Sequence, residues 1–371
     1  MFHLYITLAY IIPNVYLFFR IMNLFISRGY KLWYTLVYLM LAAVYPLAGG
    51  RFSHDTNGLM QVLSTLSGYI LPFYLYLFLS VLLFDVFLLL NLGIRILSPE
   101  TRKSFRFRFY TLATMVILSV MVVVAGTINL NTIRVSKFRV EVPRRDARID
   151  SLRIAFVADL HLQRNTPLGF VEQFVRKVNA LKPDLMLYGG DMLEGDSDDE
   201  STEAIESALR SIQTTYGTFG VLGNHESYGG ENEIRIFFKK SGIPILCDTV
   251  VRIDHSFYLA GRYDQRFRNR KTIHELLEPV PHDLPVILMD HRPTELQEVS
   301  HTAVDIQFSG HTHNGQLFPI NLVTRSVYEL SWGYKKIRNT HFFVTSGLRL
   351  WGPPVKTAGK SEIMLVDVHF E

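Results

Sequence analysis

Four long apolar runs dominate the first third of the chain. They cover residues 4–26, 32–47, 59–90 and 109–128. A bilayer crossing needs about 20 consecutive apolar residues, whereas a cleaved signal peptide has a single shorter run. The pattern therefore predicts an N-terminal bundle of about four transmembrane helices within residues 1–130. The third run is long enough to contain a break at Pro72, and Asp85 inside it is either a functional group or a polar contact between helices.

Beyond residue 130 the pattern changes to short runs of strand-forming apolar residues, separated by stretches with apolar positions at helical spacing. Residues 133–142 alternate like a first strand within a linker of residues 131–150. Strand–helix alternation over residues 151–371 is typical of a layered α/β domain. Seven strands are predicted there, and the last two indicate a second sheet: residues 153–157, 185–188, 219–222, 286–289, 306–308, 342–345 and 363–368.

Composition narrows the class of protein. With 48% hydrophobic and 19% charged residues, the chain is too apolar to be disordered and too charged to be only a membrane bundle. The first 130 residues carry 9 basic and 3 acidic residues, and the remainder carries 29 and 31. The excess of basic residues therefore belongs to the apolar part and does not indicate nucleic-acid binding. The single cysteine, Cys247, excludes an internal disulfide and a zinc site built from thiolates.

The basic residues between the apolar runs predict the orientation in the membrane. Arg28 and Lys31 follow the first run, five basic residues follow the third at positions 95–108, and Arg51 alone follows the second. Because basic loops stay in the cytoplasm, four crossings would place the C-terminal domain outside the cytoplasm, on a bacterial cytoplasmic membrane. Six basic residues at 134–148 favour the opposite orientation, but long folded domains are translocated largely regardless of their charge.

Residues with metal-binding side chains follow five of the predicted strands, at the point where each strand ends. In chain order these segments are Asp159-Leu160-His161, Gly189-Gly190-Asp191, Gly223-Asn224-His225-Glu226, Asp290-His291-Arg292 and Gly310-His311-Thr312-His313. The carboxyl ends of parallel strands meet at one edge of a sheet, where open α/β sheets bind ligands. Carboxylate, imidazole and amide groups are ligands for first-row transition metals. The sequence therefore predicts a pair of divalent metal ions at this edge.

The order of these motifs resembles the calcineurin-like metallophosphoesterase superfamily, from residue 150 to the C-terminus. Gly-His-Thr-His-x-Gly-Gln after a membrane-anchored N-terminus is similar to the YkuE-like branch. The resemblance implies a four-layer α/β/β/α sandwich behind the transmembrane bundle. It implies one metal held by Asp159, His161 and His313, a second held by Asn224, His291 and His311, and Asp191 as the bridge. His225 would be the non-ligand histidine that faces the leaving-group oxygen.

The chemistry of such a site is that of a metal-dependent phosphoric ester hydrolase of the phosphodiesterase type. Two divalent ions about 3.5–4 Å apart can hold a phosphoryl group and generate a bridging hydroxide near neutral pH. This hydroxide is expected to attack phosphorus in line, while His225 donates a proton to the leaving oxygen. Manganese is the expected metal, and iron, zinc and nickel fit the same donor set. Glu226 is expected to orient a ligand histidine.

Several residues near the motifs are candidates for substrate binding, each with a plainer alternative. Arg292 could hold a phosphate oxygen or form a surface salt bridge, and Gln163 could contact substrate or cap a turn. Trp351 and the apolar residues 317–320 could line an acyl-chain entrance or simply cover the sheet. The basic stretch 262–271 fits docking to anionic headgroups or a solvated loop.

These features together predict hydrolysis of a phosphodiester or pyrophosphate bond in a lipid or cell-envelope glycolipid, with the lipid bilayer as partner and no nucleic acid. One alternative is a cytoplasm-facing pyrophosphatase similar to the UDP-diacylglucosamine hydrolases of lipid A synthesis. The other is a membrane sensor or transporter whose phosphoesterase-like domain binds without catalysis. Against this last alternative, no ligand position of the motif set is missing.

Overall fold

The chain folds into two compact units. The computed structural model describes residues 2–48, 58–163, 166–194, 200–227 and 231–371. The first unit consists of Met1–Ile128 together with Gly352–Thr357, and the second consists of Asn129–Trp351 together with Ala358–Glu371. The sequence predicts the main boundary at residue 130, with all of residues 151–371 in the C-terminal domain.

The first unit is helical. Its helices are α1 (Phe2–Leu24), α2 (Lys31–Ala48), α3 (Gly58–Ile94), α4 (Pro99–Lys103) and α5 (Phe105–Asn131). Within the described residues, three segments are long and apolar enough to cross a bilayer: Arg28–Ala48, Gly58–Ile94 and Phe105–Asn131. The third apolar run is a single helix, because α3 continues through Pro72. A fourth crossing, by α1, stays a prediction.

Asp85 on α3 forms a polar contact with α1. Nε of Arg20 donates hydrogen bonds to both carboxylate oxygens of Asp85, at 2.8 and 2.9 Å, and the hydroxyl of Tyr16 also donates to this carboxylate. Ionisable residues inside membrane segments are costly unless they pair with one another. Of the two interpretations of Asp85, the structure therefore supports the contact between helices.

The second unit is an α/β domain in which all seven predicted strands are present, with ends displaced by two residues or fewer. The strands are β1 (Arg134–Val142), β2 (Ser151–Val157), β3 (Leu185–Tyr188), β4 (Thr218–Gly220), β5 (Thr249–Ile253), β6 (Phe257–Gly261), β7 (Val286–Met289), β8 (Ile306–Ser309), β9 (Gly333–Ile337), β10 (Thr340–Val344) and β11 (Glu362–Phe370). The helices are α6 (Leu168–Leu181), α7 (Glu200–Arg210), α8 (Glu231–Lys240), α9 (Ile273–Leu277), α10 (Leu296–Val299) and α11 (Ile320–Val327).

The strands form two sheets. The first has the order β1-β11-β2-β3-β4, and the second has the order β5-β6-β7-β8-β10-β9. Strands β2, β3 and β4 run parallel, with Ile154 opposite Leu185, and β6, β7, β8 and β10 also run parallel, with Ile287 opposite Ile306. Because parallel strands deliver their carboxyl ends to the same edge, the loops that follow them lie together.

Apolar side chains on both faces of each sheet build the layers. In β2, Ile154 and Phe156 belong to the core between the sheets, whereas Ala155 and Val157 belong to the core under α6, α7 and α8. The ring of Phe156 lies 4.9 Å from that of Phe308 in the second sheet. Helices α9 and α10 cover the outer face of the second sheet. The result is the predicted four-layer sandwich, and burial on both faces explains the continuous apolar runs of the strands.

The position of β11 differs from the expectation. The sequence predicts a second sheet that contains both β10 and β11, but β11 lies inside the first sheet between β1 and β2. It pairs in parallel with β1 over nine residues, Arg134 to Val142 opposite Glu362 to Phe370. The apolar pattern of a strand shows that both its faces are buried, but it does not show which sheet the strand joins.

Candidate metal centre

Loops at the carboxyl ends of five strands carry the predicted metal-site residues. These are Asp159 and His161 after β2, Asp191 after β3, Asn224 and His225 after β4, His291 after β7, and His311 and His313 after β8. Three loops come from the first sheet and two from the second. The candidate site therefore lies at a common edge of the two sheets.

The backbone of these loops is strained at the candidate ligands. Five of them have positive φ, the left-handed region that non-glycine residues rarely adopt: Asp159 at 57°, His161 at 42°, Asp191 at 53°, His311 at 69° and His313 at 47°. Such conformations cost about 1–3 kcal/mol each and persist only where the surrounding structure imposes them. The concentration of such conformations in these loops is typical of functional sites.

Two glycines allow the loops to approach one another. At Gly190, where φ is 90°, a Cβ would lie 2.6 Å from the backbone nitrogen of Gly223 and 2.8 Å from Nδ1 of His291. At Gly310 a Cβ would lie 2.7 Å from Oδ2 of Asp159. Both distances to the ligand side chains are too short for any residue other than glycine. The glycines are therefore needed to bring the loops within metal-binding distance.

The first group of candidate ligands consists of Asp159, His161 and His313, which are all buried. One ligand atom from each lies within 4.8 Å of the other two. Nε2 of His313 is 3.2 Å from Nε2 of His161 and 3.7 Å from Oδ1 of Asp159. Two imidazole nitrogens at this distance can form a hydrogen bond through one proton, or both can bind a cation that lies between them. This donor set fits a divalent metal ion.

The second group consists of Asp191, His291 and His311, with Asn224 beside it. Nε2 of His291 lies 3.2 Å from Oδ2 of Asp191 and 3.2 Å from Oδ1 of Asn224. Because a carbonyl only accepts, the 2.7 Å contact between Nδ1 of His291 and the oxygen of Gly189 requires Nδ1 to donate. This hydrogen bond directs Nε2 of His291 towards the site.

Asp191 lies between the two groups. Its Oδ2 is 3.2 Å from Nε2 of His291 on one side and 3.9 Å from Nε2 of His161 on the other. It also belongs to a third set of neighbouring ligand atoms, with His161 and His225. The backbone N–H of His225 donates to Oδ1 of Asp191 at 2.8 Å, which fixes the direction of the carboxylate.

Sequence reasoning missed Glu194. Oε1 of this residue is 2.7 Å from Nδ1 of His161 and 3.1 Å from Nδ1 of His225, and Oε2 accepts from the side chain of Gln163 at 2.9 Å. A carboxylate that accepts from Nδ1 leaves Nε2 of His161 available as a metal ligand. The one signal in the sequence is an acidic residue three positions after Asp191, which by itself is not specific.

Glu226 acts differently from the expectation that it orients a histidine. Its fully buried carboxylate accepts hydrogen bonds from the backbone N–H groups of Asp191 at 2.9 Å, Met192 at 2.6 Å and Gly223 at 2.7 Å. It therefore holds the loop after β3 against the loop after β4. The residue positions Asp191 through the backbone rather than through an imidazole.

The ionisable groups of the site shift one another's pKa values. Although burial opposes ionisation, His291 and then His161 and His225 hold the pKa of Asp191 well below its usual range. Burial favours neutral His291, but Asp191 and other nearby carboxylates raise its pKa to about 10. Burial, reinforced by the positive charge of His291, lowers the pKa of His311 to about 3. The proton on His291 thus compensates carboxylate charge that a bound cation would compensate instead.

The predicted substrate-binding residues surround this centre in different ways. Arg292 donates from Nε to the buried carboxylate of Asp264 at 2.6 Å, so it is held in an internal ion pair. Gln163 binds Glu194 and, through its backbone N–H, the hydroxyl of Thr166 at 2.9 Å. Trp351 is 40% exposed, and its ring lies 6.0 Å from that of His225.

The basic stretch 262–271 is neither a fully solvated loop nor an open patch of cations. Arg262 is 2% exposed and donates to Asp290 at 3.1 Å and Glu295 at 2.9 Å. Arg270 donates to the same Asp290 at 2.7 Å. Two of the five basic side chains are therefore used inside the fold, which weakens the expectation that this stretch binds anionic headgroups.

Comparison with known proteins assigns the family. The model of the calcineurin-like phosphoesterase family matches residues 152–315. An uncharacterized metallophosphoesterase from Helicobacter pylori is 34% identical over 57% of this chain and 58% of its own length. A second, from Campylobacter jejuni, is 30% identical over 69% of this chain and 68% of its own length. The chain belongs to the calcineurin-like phosphoesterase family.

Two further relatives concern the membrane location of the chain and its similarity to YkuE. A transmembrane protein with metallophosphoesterase domain from Bos taurus is 28% identical over 68% of this chain and 61% of its own length. The metallophosphoesterase YkuE from Bacillus subtilis is 24% identical over 58% of this chain and 78% of its own length. With the three helices that can cross a bilayer, the transmembrane relatives support a location in a membrane.

Proposed function

We propose that this protein is an integral-membrane phosphoesterase that uses two divalent metal ions to hydrolyse a phosphodiester or pyrophosphate bond in a lipid or cell-envelope glycolipid. The observation that carries the proposal is the position of Asp191 between two groups of buried ligand atoms. In this proposal Asp159, His161 and His313 hold one ion. Asn224, His291 and His311 hold the other, and Asp191 bridges them.

Each part of the chain has a defined task in this reaction. Bound divalent ions would supply Lewis acidity to the phosphoryl group and to a water molecule. Hydrogen bonds from Nδ1 of His161 and Nδ1 of His291 fix the orientation of these two rings. The ligand side chains would therefore hold the positive charge of the ions at a fixed, buried position. Manganese is the metal we expect, with iron, zinc or nickel as alternatives of the same donor preference.

His225 is the proposed proton donor to the leaving-group oxygen. Its side chain is 23% exposed, whereas those of His161 and His291 are fully buried, so it lies at the open side of the cluster. Although burial opposes protonation, Glu194 and Asp191 raise the pKa of His225 above its usual value. A protonated imidazole next to the opening is suited to general acid catalysis.

The variant His225→Ala tests this assignment. We expect it to lose about 10²–10⁴-fold in turnover, the usual contribution of a general acid, while it keeps both metal ions. Metal content by mass spectrometry and turnover are measured on the same preparation, with His274→Ala, an exposed histidine on α9, as the matched control. Loss of a metal ion in His225→Ala would make this residue a ligand instead.

The membrane location supports a lipid substrate, and we expect the bilayer rather than nucleic acid as the partner. The proposed orientation places the C-terminal domain outside the cytoplasm of a bacterial cytoplasmic membrane. Manganese-loaded protein in nanodiscs, incubated with lipid extracts, should release the products of hydrolysis of a phosphodiester or pyrophosphate bond in a lipid. Turnover of soluble p-nitrophenyl esters alone, with no lipid product, would contradict the lipid substrate. Protease accessibility in intact cells separates the proposed orientation from a cytoplasm-facing pyrophosphatase.

A further inference from the structure

Helix α11 is oriented with its apolar side chains outward. Ile320, Leu322, Val323 and Val327 are 46–69% exposed, whereas Asn321 is 8% exposed. Ile320, Val323 and Val327 are spaced so that they share one face of the helix. Helices on the surface of a water-soluble domain normally bury this face and expose the polar one. Here the arrangement is reversed, so these residues do not cover the sheet.

The fold fixes this orientation. The polar side of α11 packs against the turn that follows His313, where a Cβ on Gly315 would lie 2.6 Å from the backbone nitrogen of Asn321 and 2.7 Å from Oγ1 of Thr324. Such close contact leaves no room for the larger apolar side chains on that side. The helix therefore has no simple rotation that would bury its apolar face.

The helix also lies next to the metal centre. The turn that precedes α11 begins at His313. Tyr328 caps the C-terminal end of α11, and its ring lies 6.2 Å from the ring of His311. Phe318, which precedes the helix, is 51% exposed and extends the apolar surface. An exposed apolar surface beside a catalytic centre marks a place where something apolar is contacted.

We propose that α11 is an interfacial helix whose apolar face, formed by Ile320, Val323 and Val327, inserts into the surface of the lipid bilayer. The chain connects this domain to helices that can cross a bilayer, and only two residues separate the end of α5 at Asn131 from the start of β1 at Arg134. The domain is thus tethered at a membrane. An apolar helical face with a basic side chain, here Arg325, is the pattern of helices that lie in the interface.

A second copy of the chain is a less suitable occupant. A helix of eight residues is about 12 Å long and about 10 Å wide, so one face covers on the order of 100 Å². A stable protein interface buries ~800 Å² per partner. A bilayer needs no such matched surface, because lipid chains adapt to a short apolar face. An interfacial α11 would bring the metal centre to the level of lipid phosphates, but the insertion itself does not depend on the proposed reaction.

Depth-dependent fluorescence quenching in nanodiscs tests the proposal on the full chain. Val323→Cys and Val327→Cys are introduced separately in a Cys247→Ser background and labelled with an environment-sensitive dye. Ile236→Cys on α8 is the matched control, because Ile236 is also an apolar residue that is 49% exposed. Lipids with a doxyl group near the headgroup should lower the emission at positions 323 and 327 about twofold, since interfacial helices insert ~5–10 Å. The label at position 236 should keep its emission and should be quenched by aqueous iodide.

Two results would overturn the proposal. If iodide quenches the labels at positions 323 and 327 as strongly as the label at position 236, α11 faces water. If both quenchers fail and energy transfer between labels on different molecules rises with protein density, a second copy covers the helix. Because neither readout requires turnover, an inactive protein with lipid-quenched labels would contradict the proposed reaction and leave the interfacial helix in place.

Discussion

Replacing Glu194 with alanine removes a carboxylate that holds two histidines of the site. Its Oε1 is 2.7 Å from Nδ1 of His161 and 3.1 Å from Nδ1 of His225. Although burial opposes ionisation, hydrogen bonds from these two histidines lower the pKa of Glu194 to about 2. At neutral pH the residue is therefore an anion. The substitution removes one negative charge and the partner of both imidazole Nδ1 atoms.

The expected cost in metal affinity follows from the role of His161. Removing the carboxylate that orients a ligand imidazole typically lowers metal affinity about 10–100-fold, which corresponds to about 1.4–2.8 kcal/mol. Glu194→Ala should lie at the upper end of this range. Glu194→Gln keeps the shape and an oxygen acceptor but loses the charge, so it should lie near the lower end. Turnover at saturating metal should stay below that of the unchanged protein, because His225 loses the same partner.

Manganese titration of the full chain in nanodiscs, with a competing chelator dye, measures this effect. Glu172→Ala, which removes a half-exposed glutamate on α6, is the matched control and should bind manganese like the unchanged protein. Circular dichroism confirms that each variant is folded. If folded Glu194→Ala binds manganese with unchanged affinity, Glu194 does not orient His161 for metal binding.

Three further outcomes are expected. Glu226→Ala leaves the buried backbone N–H groups of Asp191, Met192 and Gly223 without this acceptor, so the free energy of unfolding in denaturant titrations should fall by about 3 kcal/mol or more. Arg292→Ala should lower the free energy of unfolding by about 3–5 kcal/mol, since it leaves the buried carboxylate of Asp264 without its cationic partner. The double variant with Asp264→Asn should recover much of that loss. His291 is protonated in the metal-free site, so metal binding should release about one proton, and metal affinity should increase as pH rises towards 10. Calorimetry in buffers of different ionisation enthalpy measures the number of protons released.

Most strands of the sandwich that are buried on both faces could be predicted from the sequence. β3 and β7 match their predicted ranges, because a run of four apolar residues between polar loops admits few alternatives. Strands β5 and β9 are not predicted from the sequence, since their partly exposed residues give no continuous apolar run, and the buried strand β6 is also missed. The sequence also does not show which sheet β11 joins, because pairing between positions such as Arg134 and Glu362, far apart in the chain, leaves no local pattern.

The candidate ligands could be predicted because each directly follows an apolar strand. The residues that position them could not be predicted in the same way. Glu194 and Glu226 depend on how the loops after β3 and β4 fold against each other, which no local spacing encodes. Arg262 looks like a surface cation in the sequence, but its partner Asp290 is 28 residues away. The outward apolar face of α11 is likewise set by its contact with Gly315, not by its own periodicity.

Anomalous scattering from crystals of the manganese-loaded protein shows whether the site holds two metal ions. We expect two peaks about 3.5–4 Å apart, as in other two-metal sites, with the carboxylate of Asp191 in contact with both. A single peak, or no peak near Asp191 after manganese soaking, would contradict the proposed two-metal site.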